Sequence, residues 1–124
     1  MNQLLLHLIG DYVTQSDWMA QRKTTNTWAA FVHATIYSLP FLLIGTWRAV
    51  LVIWSTHLLI DRFRLARFVV FAKNFMGWPW PEWKNCQATG YPSERPAWMA
   101  VWLLIAADNT IHLTINYAAL GGQI

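Results

Sequence analysis

His57-Leu58-Leu59-Ile60-Asp61 closes an apolar run that begins at Ala49. Four residues make one helical turn, so the imidazole and the carboxylate project from one face. The pairing recurs at His7-Leu8-Ile9-Gly10-Asp11 and, reversed, at Asp108-Asn109-Thr110-Ile111-His112. The remaining histidine, His33, also stands in an apolar run. All four histidines and three of the six acidic residues therefore lie where lipid or a protein core is expected. An ionisable residue inside a membrane helix costs at least about 2.5 kcal/mol on insertion scales. Three His/Asp pairs at that cost need a physical reason.

Composition sets the class. The chain of 124 residues is read as one domain, residues 1–124. It is 56% hydrophobic, with nine tryptophans and only 12% charged residues, against roughly 25% charged in a soluble domain. So few charges do not cover a water-facing surface, and an integral membrane protein is expected. Cys86 is the single cysteine, which excludes an internal disulfide. The apolar N-terminus lacks the basic flank of a signal peptide and carries His7 and Asp11, so it reads as retained structure.

The expected fold is all-α, an integral membrane helical bundle of about four segments with an interfacial loop rich in Trp and Pro. The first segment, Gln3 to Val13, is short for a crossing of about 20 residues. The second runs from Trp28 to Gly45, with a kink expected at Pro40, which lacks a backbone donor. The third runs from Ala49 to Ile60, and helix is expected to continue past Asp61 to about Phe75. That continuation, with Arg62, Arg64 and Arg67 among aromatic residues, suits a helix emerging into headgroups. Between Gly77 and Pro96, four prolines break any helix, and Trp78, Trp80 and Trp83 suit a membrane interface. The last segment is Trp98 to Leu120. Eight of the nine basic residues fall on one side of this layout, with only Arg48 opposite. The positive-inside rule then orients the chain as a multi-pass membrane protein, both termini facing away from the cytoplasm.

Imidazole and carboxylate are ligands for zinc, manganese or iron. One helical turn can direct two such groups at one ion, as in H-E-x-x-H helices. The candidate ligands are His7, Asp11, His33, His57, Asp61, Asp108 and His112, with zinc expected first and manganese or iron as alternatives. Seven ligands exceed one catalytic zinc, so the surplus serves a second ion or orients the histidines. The bland reading is that each His/Asp pair is a self-contained hydrogen bond between helices. Arg62 and Arg64, beside Asp61, could hold a phosphate or merely anchor a helix end among headgroups. The basic residues of the Trp-rich loop are too sparse for a nucleic-acid footprint, so no nucleic-acid partner is expected. The expected partner is membrane lipid, and the small surface outside lipid is compatible with a homo-oligomer.

His7 to Met19, His33-Ala34, His57 to Asp61 with the following Arg64-Leu65-Ala66-Arg67, Ala88-Thr89-Gly90-Tyr91-Pro92 and Ala107 to Leu113 together resemble a small membrane family of phages and bacteria, domain of unknown function 3307. The likeness covers nearly the whole chain and implies no activity; it implies a bacterial inner (cytoplasmic) membrane, or the host membrane for a phage-encoded member. More loosely, the His-x-x-x-Asp helices look like those of membrane-bound metal-dependent hydrolases. That likeness implies a metal bound among the same seven residues. The expected activity is hydrolysis of a lipid or lipid-linked (phospho)ester, with Asp61 or Asp108 as general base. The rival expectations are a proton or ion relay or transporter, and a phage-encoded membrane interaction protein without catalysis.

Overall fold

The computed structural model describes residues 2–122, and among them every regular element is helical. The helices are α1 (Gln3–Leu8), α2 (Asp17–Arg22), α3 (Thr27–Ser38), α4 (Trp47–Phe63), α5 (Ala66–Lys73), α6 (Trp83–Cys86) and α7 (Ala97–Ala119). The chain divides into two compact units. One holds the chain up to Phe63 together with the stretch from His112 onward, and the other holds Arg64–Ile111.

In the first unit, short polar side chains start each helix. Asn2 accepts from the Leu4 amide, Ser16 from the Met19 amide, and Asn26 from the Trp28 and Ala29 amides. Each cap satisfies amides that the first helical turn leaves without intrahelical partners. α1 widens into a π-helix over Ile9–Val13, a form of helix frequent at functional sites. α3 tightens into a 3-10 helix over Leu39–Leu43, with Pro40 in its first turn. The change of helix type falls where proline removes a donor.

α3 and α4 pack along their lengths. Ala29, Ala30 and Ala34 are fully buried and let the backbones approach closely. The Trp54 indole donates to Thr35 Oγ1 at 3.0 Å. Below lies a core of Leu6, Tyr37, Phe41, Ala49, Val50, Ile53 and Leu120. Gly10 is dictated by this core, because a Cβ there would stand 2.4 Å from a ring carbon of Tyr37.

The continuous helix expected from Ala49 to Phe75 is broken. Arg64 takes φ 53°, and helix resumes only at Ala66. In the second unit, the Arg64 guanidinium donates to the Ala88 carbonyl, Arg67 to Gln87 and Asn74 to Gly90. These bonds tie α5 to the irregular loop. Gly90 sits at φ 86°, where a Cβ would meet the Arg67 carbonyl oxygen at 2.3 Å. Trp83 stacks on Phe68 with centroids 4.9 Å apart, while Trp78 and Trp80 are exposed.

Among the described residues, one helix, α7, is long and apolar enough to cross a membrane, and only 11% of its apolar window is buried. The next most apolar stretch, Thr27–Leu43, is shorter. Length and hydropathy thus single out one crossing where four segments are expected from sequence.

Two outcomes follow. Gly10→Ala forces Tyr37 aside and should destabilise the protein by about 1–3 kcal/mol, read as a lower unfolding midpoint in detergent. Cys86 is buried, and burial, with Glu94 second, raises its thiol pKa. Less thiolate at neutral pH means iodoacetamide should modify the native protein far more slowly than the unfolded chain.

Candidate metal centre

Within the first unit, α1 with its π extension, α3, α4 and the end of α7 direct polar side chains at one point. His7, His33, His57 and His112 are each no more than 2% exposed, and Asp11 and Asp61 are 7% and 5% exposed. Two overlapping triads have metal-ligand spacing: Asp11, His33 and His57, and His57, Asp61 and His112.

The distances define the inner set. His33 Nε2 and His57 Nε2 are 2.9 Å apart. His33 Nε2 lies 3.2 Å from Asp11 Oδ1 and 3.3 Å from Asp61 Oδ2. His57 Nε2 lies 3.6 Å from Asp11 Oδ1 and 3.2 Å from Asp61 Oδ2. A tetrahedral zinc bound at about 2.0–2.1 Å sets its donors about 3.3–3.4 Å apart. Asp11 Oδ1, His33 Nε2 and His57 Nε2 therefore have the spacing of three donors to one small ion, and Asp61 Oδ2 lies within 3.3 Å of both imidazole nitrogens. His112 Nε2 approaches the other Asp61 oxygen, Oδ1, at 3.3 Å.

The π-helix places Asp11, and the i,i+4 spacing places Asp61 beside His57. The rings are held mainly by packing. Tyr37, fully buried, stacks on His57 with centroids 3.7 Å apart and planes 15° from parallel. Its hydroxyl lies 2.7 Å from His7 Nδ1 and accepts from Asn116 Nδ2 at 2.8 Å. His57 also lies against His112, with centroids 4.2 Å apart. Nδ1 of both His33 and His57 is buried without a hydrogen-bond partner. The His57 plane is held by stacking on Tyr37 in place of a hydrogen bond at Nδ1, while the His33 ring is tilted against both neighbours.

Of the seven candidate ligands, Asp11, His33, His57, Asp61 and His112 fall in the two triads. His7 sits one shell out, its Nδ1 3.6 Å from Asp11 Oδ2 and nearer to Tyr37. Asp108 belongs to neither triad and to the second unit. The two arginines are engaged structurally. Arg62 donates to the Thr24 carbonyl at 3.0 Å and to Thr27 Oγ1 at 3.1 Å. Arg64 donates to Ala88.

Sequence reasoning gave Tyr37 and Lys23 no part in the site and read Asn116 only as a hydrogen bond of the last helix that packing explains equally well. Tyr37 follows His33, and Asn116 follows His112, by the same four-residue step that defines the His/Asp pairs. Extending that rule would have found both. Lys23 carries no such signal: it counts in sequence only as a basic loop residue, yet its Nζ lies 2.7 Å from Asp61 Oδ2.

Fold and site together define an all-α protein with a buried His/Asp cluster of metal-ligand geometry. Residues 1–115 match the family described as "Protein of unknown function (DUF3307)", and the chain belongs to that family. No curated protein and no solved structure matches it.

Asp61 touches three histidines and Lys23, so its removal should be costly. Asp61→Asn should lower stability by about 3 kcal/mol, the low end for one partner lost from a buried ion pair. Asp17→Asn, on the exposed face where Asp17 accepts from Gln21, should change it by no more than about 0.5 kcal/mol. Chemical denaturation in a fixed detergent measures both.

Proposed function

We propose that Asp11, His33, His57 and Asp61 hold one divalent transition metal, zinc before manganese or iron, in a membrane-embedded protein. The observation that carries this reading is that a buried oxygen of each carboxylate lies 3.2–3.6 Å from two imidazole nitrogens that are themselves 2.9 Å apart. Charge supports it. Two buried carboxylates face one ammonium, that of Lys23, and a buried unbalanced charge is expensive. Membrane residence is supported by α7, whose apolar surface the protein leaves largely uncovered, as lipid contact requires. A cytoplasmic membrane with several crossings remains part of the proposal, resting on the distribution of basic residues.

On this centre we place hydrolysis of a lipid or lipid-linked (phospho)ester, a role carried by donor chemistry alone. A bound ion of this kind supplies Lewis-acid polarisation and a water of lowered pKa. The chain's own residues orient the donors: Tyr37 holds the His57 plane, and the buried helices exclude bulk water. Catalytic zinc keeps a position open for water, so in this reading Asp11, whose 3.6 Å contact with His57 is the longest of the set, gives way to the water. Asp61, inside the donor set, is then a ligand rather than a free base. The carboxylate left for a base is Asp108, one turn before His112 on the same helix, and Arg62 stands as the proposed phosphate contact.

The short Nε2 to Nε2 contact between His33 and His57 favours a second reading, a proton relay, since one proton can be shared between two imidazoles. The two readings separate experimentally. Purified protein equilibrated with zinc should bind about one zinc per chain by elemental analysis. His33→Ala and His57→Ala should lose it, and His7→Ala should keep it. Metal-free protein that neither takes up zinc nor gains thermal stability from it would leave the relay, for which proteoliposome proton flux insensitive to chelators is the test. Hydrolysis of lipid esters should vanish on chelation and return with zinc.

A further inference from the structure

We infer that Lys23 is the resident counter-cation of this centre: its ammonium and a metal ion are alternative partners of the same Asp61 oxygen, so metal enters by displacing Lys23. The inference rests on the metal reading above and adds to it that the ion is exchanged rather than permanently retained.

The oxygen concerned is Asp61 Oδ2, which faces both His33 Nε2 and His57 Nε2 at 3.3 and 3.2 Å. Lys23 Nζ lies 2.7 Å from that oxygen, closer than either imidazole. Oδ1, turned to His112, is the other face of the carboxylate. Lys23 thus occupies the donor atom that belongs to the inner set of four, not a peripheral one.

Charge makes the two occupants alternatives. Without a metal, Asp11 and Asp61 would confront each other with no cation, and the ammonium relieves that repulsion. With a divalent ion in place, the two carboxylates are already neutralised. Lys23 would then add an unmatched positive charge beside the ion. The side chain is suited to leave. Its charge is a compact point on a flexible four-carbon stem, and it is 18% exposed whereas the Asp61 side chain is 3% exposed. Such a stem can lie along apolar surface and lift its head to water.

The backbone around Lys23 need not move with it. Lys23 caps α2, its amide bonded to the Met19 carbonyl. The turn that follows is clamped by Arg62 through Thr24 and Thr27. Arg62 directly follows Asp61 on α4, so one helix end carries the ligand and fixes the loop that bears its competitor. The exchange is confined to a side chain.

The test uses full-length protein in detergent with Zn2+ as the probe. Against a competing chelating indicator, Lys23→Met should bind zinc at least tenfold more tightly than the natural chain and release it more slowly. Lys23→Arg, which keeps the charge, should not gain. Independently, in the unaltered protein, saturating zinc should speed amine acylation of Lys23 several-fold by mass spectrometry, leaving Lys73 and Lys84 as internal references. Equal or weaker zinc binding by a folded Lys23→Met protein would overturn the inference, as would a Lys23 labelling rate that zinc does not raise. Should Lys23→Met fail to fold, the labelling experiment decides alone. Absence of zinc binding by both the natural chain and Lys23→Met would overturn the metal reading as well, an outcome distinct from equal binding by the two.

Discussion

Two carboxylates buried among helices are the constraint on which this fold turns. A buried ion costs several kcal/mol even after the protein relaxes around it, more than any single packing contact in the unit returns. Asp61 meets that cost with three imidazoles and one ammonium, drawn from α3, α4, α7 and the end of α2. Asp11 draws on His33 and His57. Helix packing must therefore satisfy a polar point as well as an apolar core. α3 buries Ala29, Ala30 and Ala34 completely, and its His33 meets His57 of α4 at 2.9 Å.

Tyr37 joins the two demands. Its ring belongs to the apolar core and its face lies on His57, while its hydroxyl engages His7 and Asn116. A ring stacked at 3.7 Å resists rotation without a hydrogen bond to its second nitrogen, which is how His57 is oriented although its Nδ1 has no acceptor. Gly10 completes the arrangement by leaving room for that tyrosine. The π turn that contains Gly10 also carries Asp11, so the irregularity in the first helix and the position of a ligand are one feature.

Much of this was legible in the chain. The repeated four-residue spacing fixes which side chains share a helix face, because helical geometry is local. That is why the His57/Asp61 pair, the short first segment, the change of helix at Pro40 and the long last helix could all be read without coordinates. Lys23 could not be, since its partner lies 38 positions away and a loop lysine looks the same whether it faces water or a carboxylate. The break at Arg64 also escaped, because the residues around it favour helix and the bonds to Ala88 and Gln87 that compete with it are made across the second unit. Four crossings were expected from hydropathy, yet helix length singles out α7, since the other helices end at caps, at Pro40 and at Arg64 before reaching membrane thickness.

By itself the sequence determined the helical class, the faces on which histidine and aspartate stand, and the chemical kind of ligand they offer. Those are properties of neighbours along one chain, set by the 3.6-residue turn and by side-chain chemistry. Only the tertiary structure decided which of the seven candidates converge, because convergence depends on how helices distant in sequence cross. It brought Asp11, His33, His57, Asp61 and His112 into two triads, set His7 one layer away against Tyr37, and brought in Lys23. The physical reason is the same throughout: a buried charge selects its neighbours in space, wherever the chain happens to carry them.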